Sequence, residues 1–167
     1  EICITSFGKQ PRVSRTRDRQ SPYGRALQKG AEWDSMKSLK GRESMSTNVM
    51  TFAPNDSVVH AMATLLDKGI SGAPVVDEDG SLLGILSEVY LIQVVVQDSY
   101  YADPAGIVAD FMQTQVECVD PDTDIFSLAQ QFISHHRRRY PVLESGQLVG
   151  QISRRDVLRA ALAFFQA

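Results

Sequence analysis

The chain has 167 residues, 43 % of them apolar and 22 % charged, with a net charge of −3, the makeup of an ordinary folded domain rather than a disordered or fibrous one. No apolar stretch approaches a membrane span, and residues 1–7 are too brief and badly flanked for a signal peptide. Two cysteines, Cys3 and Cys118, make neither a disulfide framework nor a metal-ligand spacing, which points to a reducing cytoplasm.

The charge is unevenly spread. Residues 1–44 hold ten Lys/Arg against five Asp/Glu, a net +5, and the remainder seven against fifteen, a net −8. Six of those seven bases are Arg137, Arg138, Arg139, Arg154, Arg155 and Arg159. A basic cluster inside an acidic domain fits a local anionic ligand better than nucleic acid, which favours a broader basic face. The chain opens on Glu1 rather than a methionine, which leaves room for an upstream portion.

Residues 8–30 are polar, without a sustained period, and read as a loosely ordered arm. Ala31 to Leu39 is expected to form a short helix with Trp33, Met36 and Leu39 along one side. The arm reads as a linker or extension; the sharper alternative has Trp33 anchoring it on a partner subunit.

From Met45 the pattern becomes regular. Val49 to Phe52 reads as a strand ended by Pro54. Asp56 or Ser57 then caps a helix with Val58, Val59, Met62, Leu65 and Leu66 as apolar positions, stopped by Gly69. Ala73 to Val76 and Leu82 to Leu86 read as a hairpin around Asp77-Glu78-Asp79-Gly80, followed by a helix from Ser87 to Val96. Tyr100 to Pro104 leads into a short segment, Ile107 to Met112. The order of elements then recurs: a strand from Val116 to Val119, a helix from Asp124 to Ser134, strands Tyr140 to Leu143 and Leu148 to Ile152, and a closing helix from Arg154 to Phe165.

The recurrence is literal. Pro54 and Pro121 lie 67 residues apart, as do Pro74 and Pro141; Gly84-Ile85-Leu86-Ser87 then meets Gly150-Gln151-Ile152-Ser153 after one residue is lost in a turn. Two copies of one β-α-β-β-α unit, each needing its twin for burial, are expected to pack together with a site between them.

This repeat, its paired Pro-Val-Val and Pro-Val-Leu strands and the Gly-x-x-Ser-x-x-Asp ending resemble a tandem pair of CBS domains, a Bateman module, over about residues 45–165. The resemblance implies an α+β fold of two repeats related by pseudo-twofold symmetry: arm 1–44, first repeat 45–99, linker 100–106, second repeat 107–167. It implies a regulatory sensor for an adenosine nucleotide (AMP, ADP or ATP), not an enzyme, with no obligatory cofactor. S-adenosylmethionine is also a ligand of some such modules. It further implies a homodimer through its helices, to which the closing helix would contribute Val157, Leu158, Ala161, Leu162 and Phe165.

The strongest site in the residues themselves is Ser153-Arg154-Arg155-Asp156. A carboxylate one turn into a helix can accept both hydroxyls of a ribose, and Ser153 at the helix start suits a phosphate. The plain alternative is a capping box that serves the helix alone. Under the resemblance, Arg155 faces the ligand, and Arg138 and Arg139, ahead of Pro141, bind phosphate. Adenine would contact Met50-Thr51 and Ile70-Ser71 of the first copy. Arg137 and Arg154 read as solvated.

The first copy departs from this pattern. Tyr90 stands where Asp156 stands in the second, and Ser71-Gly72 replace Arg138-Arg139. A phenol cannot replace a bidentate anionic acceptor. One competent adenosine cleft is therefore expected, with a second, degraded or differently selective cleft that keeps Arg139 nearby and could hold an anion without ribose. The alternative function is a protein-interaction module with vestigial clefts and an unidentified partner recruited by the arm. Nucleic-acid binding through the arm lacks interleaved aromatics beyond Tyr23 and Trp33. Catalysis lacks a base–orienter pair around Ser153 or Cys118, and His135-His136 are not at metal-ligand spacing.

Overall fold

The computed structural model describes residues 3–4, 38–97 and 106–166. The expected arm of residues 8–30, the helix expected from Ala31 to Leu39 except for its last two residues, which are not helical, and the Tyr100 to Pro104 link lie outside these residues. In chain order the described elements are β1 (Cys3–Ile4), α1 (Gly41–Ser44), α2 (Val58–Lys68), β2 (Gly72–Val76), β3 (Leu82–Ser87), α3 (Glu88–Gln97), α4 (Val108–Phe111), β4 (Val116–Glu117), α5 (Ile125–His135), β5 (Arg139–Glu144), β6 (Gln147–Ser153) and α6 (Arg154–Gln166).

The two long helices bury equivalent stripes. In α2 these are Val58, Ala61 and Leu65; in α5 they are Ile125, Leu128 and Phe132, 67 residues on. Both spacings keep one face on the core. Asp124 caps α5, its carboxylate accepting from Ser127 N at 2.9 Å. The expected cap on α2 differs: Ser57 holds the N-cap position without a side-chain bond, and Asp56 accepts from Ala53 N at 2.8 Å instead. α2 ends on Gly69 in the left-handed region (φ 61°), where glycine carries no Cβ penalty; its counterpart His136 takes the same conformation (φ 55°) without that freedom.

Each copy builds an antiparallel hairpin, β2–β3 with Pro74 opposite Ile85 and β5–β6 with Pro141 opposite Gln151. Both carry a bulge at the same place, Val75/Val76 and Val142/Leu143. The expected first strands are shorter than the sequence reading. Val49 to Phe52 reduces to a parallel bridge from Phe52 to Val75; Val116 to Val119 becomes β4 plus the equivalent bridge from Val119 to Val142. β4 also pairs in parallel with β1. The lost residue belongs to the turns: Asp77 organises the longer one by accepting from Asp79 N and Ser81 N, whereas Ser145-Gly146, both at positive φ, close a tight two-residue turn.

The copies exchange their leading segments. Gly41 N and Arg42 N of α1 donate to Thr123 O and Pro121 O of the second copy; Val108 N and Ala109 N of α4 donate to Asp56 O and Pro54 O of the first. Each pair is the other's image at an offset of 67. Further along, Ser46 bridges Gln151 of β6, and Gln113 bridges Ile85 of β3. The result is an α+β fold with pseudo-twofold symmetry. One hydrophobic cluster sits under each hairpin, around Val75 and Leu86 and around Val142 and Ile152; a third, of Leu82, Val116 and Cys118, lies between the copies.

Candidate functional site

The exchange of segments leaves two clefts between the copies. The first, of about 370 Å³, takes Val49, Met50, Lys68 and Ile70 from the first copy and Arg139, Ser153 and Asp156 from the second. The second, of about 220 Å³, takes Ser71, Ser87 and Tyr90 from the first copy and Gln113 with Arg137 to Arg139 from the second. They are images of one another, since Asp156 maps on Tyr90, Ser153 on Ser87 and Ile70 on Arg137. Gly72, Arg139 and Gln151 line both and form the wall between them.

Asp156 enters the first cleft from the first turn of α6. Its Oδ2 accepts from Ser153 N at 2.8 Å and from Ser153 Oγ at 2.6 Å, and its Oδ1 accepts from Arg159 Nη1 at 2.9 Å. Burial pushes this carboxyl up, but the Ser153 and Arg159 hydrogen bonds outweigh it and hold it below the ordinary carboxylate range. The capping geometry foreseen as the plain alternative is thus present. Arg159 is 73 % exposed, so its hold on Oδ1 is weak and easily exchanged. On the shared wall, the Gln151 amide oxygen, in the orientation that satisfies both groups, accepts from Arg139 Nη1 at 3.1 Å and Nε at 3.2 Å.

Of the residues expected from the sequence, Met50, Ile70, Arg139, Ser153 and Asp156 meet in the first cleft. Ser71 and Arg138 line the second instead, and Thr51 and Arg155 line neither. Arg155 is exposed on α6. Lys68 and Asn48 were not foreseen. Lys68 closes α2 one residue before the Gly69 stop and lines the cleft from there.

The second cleft is chemically different. At the place of Ile70 it has Arg137, and Glu117, the counterpart of Met50, stands outside its lining and pairs with that arginine: Arg137 Nε and Nη2 donate to Glu117 Oε2 and Oε1, both at 3.2 Å. Arg137 is therefore an ion-pair partner and not merely solvated. Its guanidinium holds the Glu117 carboxyl below its usual range. His135 Nδ1 lies 3.4 Å from the same carboxylate and 3.2 Å from the Tyr140 hydroxyl, a phenol that burial pushes up to about 12. Arg154 is exposed, with its Nε donating to Arg137 O. Tyr90, half-buried, stands at the place that Asp156 holds in the first cleft.

Among the described residues no group of three His, Cys, Asp or Glu could hold a metal, and no helix is long and apolar enough to cross a membrane. Cys118 is buried, its Sγ donating to Val116 O at 3.5 Å.

Comparison with known proteins supplies the remaining context. An uncharacterized protein of Methanocaldococcus jannaschii, MJ1225, is 28 % identical over 118 residues, which are 71 % of this chain and 41 % of that protein. The A-adding tRNA nucleotidyltransferase of Aquifex aeolicus is 30 % identical over 122 residues, 73 % of this chain but 14 % of the enzyme. The chain thus spans less than half the length of these relatives. Among solved structures, CBSX2 of Arabidopsis thaliana in complex with AMP superposes with a TM-score of 0.67 at 26 % identity, over 76 % of this chain and 98 % of that one. A family model of the CBS domain matches residues 38–97 and again 108–163. With that double match and the reciprocal fold beneath it, the chain belongs to the CBS-domain family and carries the domain twice in tandem.

Proposed function

We propose that the chain is a regulatory module that binds one adenine nucleotide, of the AMP, ADP or ATP type, in its first cleft. The observation that carries this reading is the joining, by both copies, of apolar walls, one carboxylate and two cations in a single cleft. A flat base would lie between Met50, with the adjoining Thr51 backbone, and Ile70. The ribose would hydrogen-bond Asp156 Oδ1 as Arg159 swings away. Phosphate would meet Arg139, Lys68 and the Ser153 end of α6, where the helix dipole favours an anion. Support comes from CBSX2, a neighbour solved with AMP.

The module senses rather than catalyses. A ligand touching both copies favours whichever relative packing presents the better cleft and shifts the population towards it. A homodimer in the cytoplasm is part of the proposal. The specific observation for the rival reading, an interaction module with vestigial clefts, is that Asp156 is already saturated as a helix cap.

Isothermal titration of AMP, ADP, ATP and S-adenosylmethionine into the parent and Asp156→Ala separates the two. Loss of the cap costs about 1 kcal/mol, so the variant stays folded, which a melting curve checks. The expected result is near one equivalent per chain for the parent and at least about tenfold weaker binding in the variant. No heat from any of the four, with protein folded and free of nucleotide, would make Asp156 a cap alone and the chain an interaction module.

A further inference from the structure

The second cleft is refused to a nucleoside by its own side chains. Arg137, held by Glu117 behind it, stands where Ile70 offers an apolar wall in the first cleft, and Tyr90 stands where a ribose would need a carboxylate. What remains open is cationic. Arg138 and Arg139 line the cleft, and among the described residues neither is in an ion pair; Arg139 meets only the neutral Gln151 amide. No carboxylate lines the cleft, and Ser71, Ser87 and Tyr90 bring hydroxyls to its opposite wall. Within a domain of net negative charge this is a local concentration of forked donors facing hydroxyl groups, the chemistry that holds a phosphoryl oxyanion.

We infer that the second cleft is a phosphoryl-binding site without a nucleoside, in which Arg138 and Arg139 grip a compact phosphate or diphosphate group while the Glu117–Arg137 pair blocks the base position. The group can come from two sources. It can be a free inorganic anion, or it can be the outer phosphates of a nucleotide seated in the first cleft, since Arg139 and Gln151 belong to both. The second source rests on the proposed function; the first does not.

The test uses the full chain and its Arg138→Gln variant, with melting curves to establish that this exposed substitution leaves the fold intact. Inorganic pyrophosphate is titrated into both and into Asp156→Ala, and AMP and ATP into parent and Arg138→Gln. Saturable pyrophosphate binding that survives Asp156→Ala, weakens about tenfold or more in Arg138→Gln and weakens with added salt supports the site with a free anion. No pyrophosphate binding, but ATP bound more tightly than AMP by a margin that Arg138→Gln removes, supports it with a nucleotide tail. Pyrophosphate binding indifferent to Arg138→Gln overturns the inference, as does its absence together with ATP and AMP affinities that the variant does not separate. Pyrophosphate binding without any nucleotide binding would sink the proposed function and leave this site standing.

Discussion

Three residue pairs distinguish the surroundings of the two clefts: Asp156 against Tyr90, Met50 against Glu117, and Ile70 against Arg137. The first could be read directly from the repeat, because a carboxylate announces its chemistry wherever it stands. The other two could not. The offset of 67 does align them, but that Arg137 folds back on Glu117, twenty residues earlier, is a tertiary fact. A run of arginines before a strand reads as solvated until its partner is in view. The same limit explains Arg138, which lines the second cleft, and Arg155, which lines neither: a place beside a motif does not give a side chain its direction. If the Glu117–Arg137 pair is the barrier to a second nucleoside, Tyr90→Asp alone leaves AMP stoichiometry near one. Tyr90→Asp combined with Glu117→Met and Arg137→Ile raises it towards two. Titration calorimetry reads both, and two equivalents for Tyr90→Asp alone would show that the ion pair is no barrier.

The helices and hairpins were plain from periodicity, because α2 and α5 bury a face at helical spacing and the hairpins carry turn residues at fixed places. The four-residue elements α1 and α4 were not, since one turn of helix has no period to detect. Residues 38–44, grouped with the arm on sequence, instead pack on the second copy as residues 105–111 do on the first wherever both are described; Leu39 O accepts from Ile125 N just as Gly106 O accepts from Val58 N. Where these crossing segments pass the hairpins, glycine is required for approach. A Cβ on Gly84 would meet Gln113 O at 2.6 Å and Met112 Sδ at 3.0 Å; one on Gly150 would meet Met45 Sδ at 2.7 Å and Ser46 O at 3.0 Å. At Gly84 the nearest obstacle is a backbone oxygen that itself accepts from Ile85 N, whereas at Gly150 it is a thioether that can turn aside. Gly84→Ala is therefore expected to cost about 2–3 kcal/mol and Gly150→Ala about 1, by chemical denaturation. Equal costs would mean that the crossing strands yield as easily as a methionine.

The molecule as a whole leaves apolar surface uncovered in a pattern that respects its symmetry. Ile92 of α3 is 61 % exposed and its counterpart Leu158 of α6 is 68 % exposed; Val89, Leu162 and Phe165 extend the two stripes. Beneath them Leu91 and Val157 face inward, so each helix is apolar on both sides, more than packing on its own copy requires. The proposed homodimer would cover these stripes. Each such side chain gains about 1.5–3 kcal/mol on leaving water, and a glutamate in its place forfeits that gain and adds a charge to be desolvated. Ile92→Glu with Leu158→Glu should therefore weaken association at least about a hundredfold while leaving the two cores folded, since neither side chain belongs to them. Sedimentation equilibrium at micromolar concentration, with parent and variant side by side, decides it. A dimeric parent and monomeric variant place the contact on these helices. A parent already monomeric removes the dimer from the proposed function and confines any coupling between clefts to the two copies within one chain, through the wall of Arg139 and Gln151.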